Sequence, residues 1–182
     1  MHNAIIFHGT SSTPDAFWQP YIKNELEQRH YDVWIPALPH ADTPDLKYWL
    51  PVALEGKYTK ETVIIAHSSG CPLVISLLEK LTIQVKKVIL VAGYARPKGE
   101  KKESEAILQT VYDWEKIRQN VKELYSINSD NDPWGCTDVE GKYIFDHLGG
   151  TLIIKHGEGH MGSNLYKQPY KEFPLLVKLI EL

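Results

Sequence analysis

Short apolar runs alternate along this chain with longer stretches of helical spacing. Residues 3–8 (NAIIFH) are an apolar run that stops at Gly9, and they predict a buried strand. Residues 14–29 bring Phe17, Trp18, Tyr21, Ile22 and Leu26 onto one helical face. Ser12 or Thr13 would cap that helix, with Pro14 in its first turn. Residues 31–35 (YDVWI) predict a second strand, ended by Pro36. A helix over 45–54 and a strand over 61–66 (ETVIIA) follow. A helix over 69–81, apolar through Leu73, Val74, Leu77 and Leu78, leads to a strand over 86–92 (KKVILVA). Residues 93–103 are polar and charged, with Pro97 and Gly99, and predict a surface excursion. The remaining pattern predicts a helix over 105–120, a strand over 123–128, a helix over 137–148, a sixth strand over 151–155 and an amphipathic helix over 170–182.

Strands that alternate with helices imply right-handed crossovers and a parallel sheet covered on both faces. The expected fold is therefore α/β, a three-layer α/β/α sandwich with about six parallel strands in a single domain over 1–182. Apolar residues make up 43% of the chain and charged residues 24%, ordinary usage for a folded domain. The formal net charge is −3 and no basic run occurs, which argues against nucleic acid or an anionic membrane surface as partner. Cys71 and Cys136 form no CxxC pair, so neither a structural zinc site nor a disulfide framework is expected. The first residues lack a basic signal-peptide region, and no apolar stretch approaches the roughly 18 residues of a membrane span. The expected location is cytoplasmic.

In such sheets reactive residues lie beyond the carboxyl ends of the strands. The third strand runs into Ala66-His67-Ser68-Ser69-Gly70, a G-x-S-x-G pattern with Ala at its first position. A nucleophile on a tight strand-to-helix turn needs small flanking residues. Ser before a helix is also an ordinary cap, but the place of this one after VIIA favours the nucleophile reading for Ser68. A serine needs a base, and the base needs an orienting acid. The fifth strand leads to Asp130 and Asp132, and the sixth leads to His160, so the order is Ser, Asp, His. Asp132 precedes Pro133, while Asp130 lies nearer the strand end; both stay open as the acid. His156 and His160 have the spacing of a helical metal pair, but Gly157 and Gly159 between them argue against a helix. An oxyanion needs two backbone N–H donors. Ser69 supplies one, and Thr10, with Ser11 as alternative, supplies the other after His8-Gly9. His8 and His67 read as packing or hydrogen-bonding residues, and Trp134 as either a pocket wall or core.

On IIFHG, AHSSGC, YDWEKI, SDNDP and EGHM the chain resembles the α/β-hydrolase superfamily, and within it the small serine hydrolases of the retinoblastoma-binding-protein-9 and YdeN type. That resemblance implies Ser68 as nucleophile, Asp132 as acid and His160 as base. It also implies a minimal hydrolase fold with little or no lid. The family usually has Gly where this chain has Ala66. Cys71 matches a cysteine of the family and reads as a packing residue, Trp114 likewise. The expected activity is hydrolysis of a small ester, thioester or amide through an acyl-enzyme, without metal or organic cofactor, on a small-molecule or peptide-like acyl substrate. The alternative is a protein-interaction module on a hydrolase fold, with a protein partner and vestigial activity.

Overall fold

The computed structural model describes residues 2–98 and 105–182. Its strands are β1 (Asn3–Phe7), β2 (Asp32–Trp34), β3 (Thr62–His67), β4 (Val85–Val91), β5 (Val121–Ser129) and β6 (Thr151–Lys155). They form one sheet in the order β2-β1-β3-β4-β5-β6, and every neighbouring pair is parallel. The central strands are buried along both faces because helices cover both. Helix α1 (Gln19–Glu27) packs with α6 (Pro174–Glu181). Helices α2 (Leu46–Leu54), α3 (Gly70–Lys80), α4 (Trp114–Gln119) and α5 (Asp138–Leu148) pack in a row. The two groups are the outer layers of an α/β/α sandwich, as the alternating pattern predicted. None of the described helices is long and apolar enough to cross a membrane.

Three helices are shorter than their apolar spacing suggests. The first begins at Gln19, not at residue 14. Phe17 sits at φ +52°, outside the right-handed helical region, and Trp18 rather than Ser12 or Thr13 holds the capping position. The helix expected over 105–120 exists only as α4. Upstream of it the Ala106 carbonyl accepts from Leu46 N, at the start of α2, at 3.1 Å. That carbonyl is spent on another element, and Asp113 starts α4 by accepting from Lys116 N. The closing helix starts at Pro174, after Tyr170 at φ +36°. The expected surface excursion fails at its start, since Tyr94 and Ala95 are buried in the core. Residues 99–104, which complete that segment, lie outside the described residues.

One charge sits inside the core. Lys87 on β4 is fully buried, and its Nζ donates to the Leu179 and Ile180 carbonyls at the end of α6. Glu123, its cross-strand neighbour on β5, lies 3.3 Å from the ammonium. The lysine thus supplies a donor to carbonyls that a helix end leaves without partners. Lys87→Met is expected to lower unfolding free energy by about 2 kcal/mol, because donors to charged or orphaned groups count for more than ordinary hydrogen bonds. Glu123→Gln, at a half-exposed carboxylate, should cost less than about 1 kcal/mol. Urea midpoints of the two variants check the order.

Candidate active site

β3 ends in a turn that only certain residues permit. Ser68 sits at φ +53°, the left-handed region that costs a non-glycine residue about 1 kcal/mol or more. The turn presses the serine against β1: a Cβ on Gly9 would lie 2.7 Å from Ser68 Cβ, and one on Gly70 would lie 2.8 Å from the His8 carbonyl oxygen. Ala66 is tolerated because it lies within the strand, paired with Phe7, and its methyl is buried. The Cys71 thiol reaches the Ala66 and Val91 carbonyls, and burial pushes its pKa up, so it packs as a neutral thiol.

The loops after β5 and β6 are stitched together residue by residue. Ser129 Oγ accepts from Glu158 N at 3.0 Å and Asn131 Oδ1 from Gly159 N at 2.8 Å. Asp130 Oδ1 accepts from Gly157 N at 2.8 Å, and its other oxygen pairs with His156 Nδ1. Asp132 Oδ2 accepts from His160 Nδ1 at 2.7 Å, and its Oδ1 accepts from Trp134 N at 2.8 Å. The two aspartates open in the sequence therefore have separate partners. The side chain of Asp132 is inaccessible to solvent. Asp130 lies at the surface, where the Gly157 N–H and then His156 hold its carboxyl below the usual range. His156, almost wholly exposed, is raised by the same pairing; it faces Asp130 while His160 faces Asp132, in keeping with the sequence reading that set the metal pair aside.

A carboxylate only accepts, so in the neutral ring the His160 proton sits on Nδ1 and Nε2 is left as an acceptor. Ser68 and His160 both line a cavity of about 720 Å³. The segment carrying His160 is held at three points. His67 Nε2 donates to the His160 carbonyl at 2.9 Å, Trp18 Nε1 donates to the Met161 carbonyl at 3.0 Å, and Gln168 Oε1 accepts from His160 N at 2.9 Å. This fixes a stretch with Gly159, Met161 and Gly162 all at positive φ. A side chain at Gly159 would collide with the Gln168 amide.

Burial pushes His67 down to about 3, with nearby His160 adding to the effect. It is neutral near pH 7, and in the tautomer that donates from Nε2. Unfolded, it would titrate near 6.5. Between those values the unfolded state binds the extra proton, so stability falls as pH drops from about 6.5 toward 3. Each such proton contributes a slope of up to about 1.4 kcal/mol per pH unit. Urea unfolding of His67→Gln is expected to be flatter over this window than that of the wild type.

Elsewhere in the cavity lining, Ser11 N donates to the Ala41 carbonyl at 2.8 Å, which leaves it unavailable to an oxyanion. Neither Thr10 N nor Ser69 N donates to another protein group among the described residues. Their side chains meet instead: Thr10 Oγ1 lies 2.6 Å from Ser69 Oγ, which lies 3.1 Å from the Tyr94 hydroxyl. Tyr94 donates to Glu105, whose other oxygen accepts from Lys98 Nζ at 2.6 Å. The chain of donors thus runs from Thr10 through Ser69 and Tyr94 to Glu105. Tyr94, Glu105, Trp18 and Gln168 carried no chemical signal in the sequence. His8 is a neutral bridge, with Nε2 accepting from Leu38 N at 3.0 Å and burial lowering its pKa.

Cys136 is buried beside the pair: ligand atoms of Asp132, Cys136 and His160 lie within 4.8 Å of one another. A metal there would have to displace the proton between Asp132 and His160. It would also have to ionise a thiol that burial holds well above its usual range. The donors fit the Asp132–His160 hydrogen bond better than an ion.

The chain is 29% identical to the serine hydrolase RBBP9 of Rattus norvegicus over 167 residues, covering 90% of this chain and 84% of that one. It is 29% identical to YdeN of Bacillus subtilis over 131 residues, covering 70% and 69%. The crystal structure of the B. subtilis ydeN gene product superposes with a TM-score of 0.90 at 23% identity, over 100% of this chain and 97% of that one. The ferulic-acid-bound Est1E of Butyrivibrio proteoclasticus shares the fold at a TM-score of 0.70 and 11% identity, over 100% and 87%. The family model for serine hydrolases matches residues 4–181, and the chain belongs to that family.

Proposed function

We propose that this protein hydrolyses a small ester, thioester or amide through an acyl-enzyme formed on Ser68. The observation that carries the reading is the buried Asp132–His160 hydrogen bond of 2.7 Å, which leaves His160 Nε2 as an acceptor in the cavity that Ser68 lines. His160 takes the serine proton as Oγ attacks the carbonyl carbon. It then gives that proton to the leaving atom as the carbon–leaving-atom bond breaks. Asp132 holds the tautomer and stabilises the imidazolium. The backbone N–H groups of Thr10 and Ser69 receive the oxyanion, at the N-terminal end of α3 where negative charge is favoured. Water repeats the steps to release the acid. The residues need no metal or organic cofactor for this sequence, and the substrate is a small or peptide-like acyl compound met in the cytoplasm.

A fluorophosphonate probe labels only an activated serine. Labelling of the wild type, mapped to the peptide carrying Ser68, together with turnover of activated acyl esters, is the expected result. An unlabelled, folded protein would favour the interaction-module reading.

A further inference from the structure

The two walls of the cavity differ in chemistry. Thr10, Ser69, Lys98 and Glu105 lie on one side, tied together through Tyr94. Trp134 lies beside His160, and Leu165 lines the same cavity. Trp134, Leu165 and Tyr166 are 45%, 69% and 46% exposed, and the first two line the cavity. The Trp134 ring meets the Tyr166 ring edge to face at 5.3 Å between centroids and lies 6.4 Å from the His160 ring. Its indole N–H donates to Ser163 Oγ at 3.3 Å, which fixes the ring's orientation. Exposed apolar clusters rimmed by polar groups mark binding sites. Rigid aromatics supply contact area at a low entropic cost.

Resting on the hydrolase reading above, the chemistry decides which part of a substrate meets this wall. The base returns its proton to the leaving atom, so that atom must come within hydrogen-bond reach of His160 Nε2. The carbonyl oxygen faces the Thr10 and Ser69 amides. The leaving portion therefore runs out past His160, along Trp134. We infer that this face is a leaving-group subsite and that preferred substrates carry a flat, apolar alcohol or amine portion, with Trp134 setting the preference. In the step concerned, the bond from Ser68 Oγ to the carbonyl carbon forms, the bond to the leaving oxygen or nitrogen breaks, and His160 supplies the proton that the departing atom takes. The Trp134 contact to Asp132 is made by the backbone N–H, so replacing the indole leaves that hydrogen bond available.

The test compares benzyl acetate with methyl acetate, whose alcohols are nearly equal in acidity and differ in the ring. Wild-type kcat/KM is expected to favour the benzyl ester by roughly 10- to 100-fold, the range that apolar pocket contacts support. Trp134→Ala should bring the ratio to within about threefold, and Trp134→Phe should keep most of it. Both esters give the same acetyl-enzyme, so the effect falls on the acylation burst and not on deacylation. Equal rates for the two esters, or a ratio that survives Trp134→Ala, would each overturn the inference. Failure of the underlying hydrolase reading looks different: neither ester turns over and the probe leaves Ser68 unlabelled.

Discussion

Ser68→Ala is expected to lose ester hydrolysis by roughly 10⁶-fold while unfolding at a similar urea concentration, since removing a serine nucleophile has that effect where it has been dissected. The fold should survive for a local reason. Ser68 occupies a left-handed position (φ +53°) that the mutation does not relieve, and its backbone N–H still donates to the Val91 carbonyl at 2.9 Å. Ser69→Ala is the informative companion. It keeps the backbone N–H proposed for the oxyanion and removes only the hydroxyl between Thr10 and Tyr94. About a tenfold loss or less is expected from one such link. Steady-state kinetics on an activated ester separates the cases. Equal loss in both variants would count against the elbow as the reacting turn.

Asp132→Asn should lower kcat by about 10⁴-fold, the loss found for an Asp→Asn change in a well-studied protease triad. The physical cause is the tautomer. Asp132 can only accept, so it holds the proton on His160 Nδ1 and keeps Nε2 free. An asparagine can present its NH2 instead and stabilise the wrong form. Asp130→Asn removes a charge whose partners are Gly157 N and an exposed His156, so little change in rate is expected. Circular dichroism confirms folding of both, and kcat on one ester decides. A dead Asp130 variant beside an active Asp132 variant would reverse the assignment.

The strands were readable because buried parallel strands leave continuous apolar runs such as VIIA and VILV, which need no knowledge of neighbours. The positions of Ser68, His160 and the two aspartates were readable from the rule that loops at strand carboxyl ends converge. The choice between Asp130 and Asp132 was not legible from residue types alone. It depends on how residues 129–132 register against 157–160, a loop-to-loop pairing with no periodicity. Tyr94 was hidden in a polar stretch, and its partner Glu105 lies beyond a run of charges. Its burial follows from where β4 delivers the chain, not from local pattern. Helix ends were lost for a similar reason. Phe17 and Ala106 have conformations or carbonyls committed to distant elements, which propensity does not register.

The buried Lys87 also ties the covering of one sheet face to the last helix in the chain. Its strand emerges from the ribosome well before α6, which follows every strand in the chain. Until the Leu179 and Ile180 carbonyls arrive, the ammonium has only Glu123 and water to satisfy it, and it resists being covered. A nascent chain can assemble the early strands as it grows. The face of the sheet that carries Lys87 then remains open and hydrated until the closing helix docks. A truncation that removes residues 179–182 would trap the protein at that stage. A tag appended after them leaves both carbonyls in place.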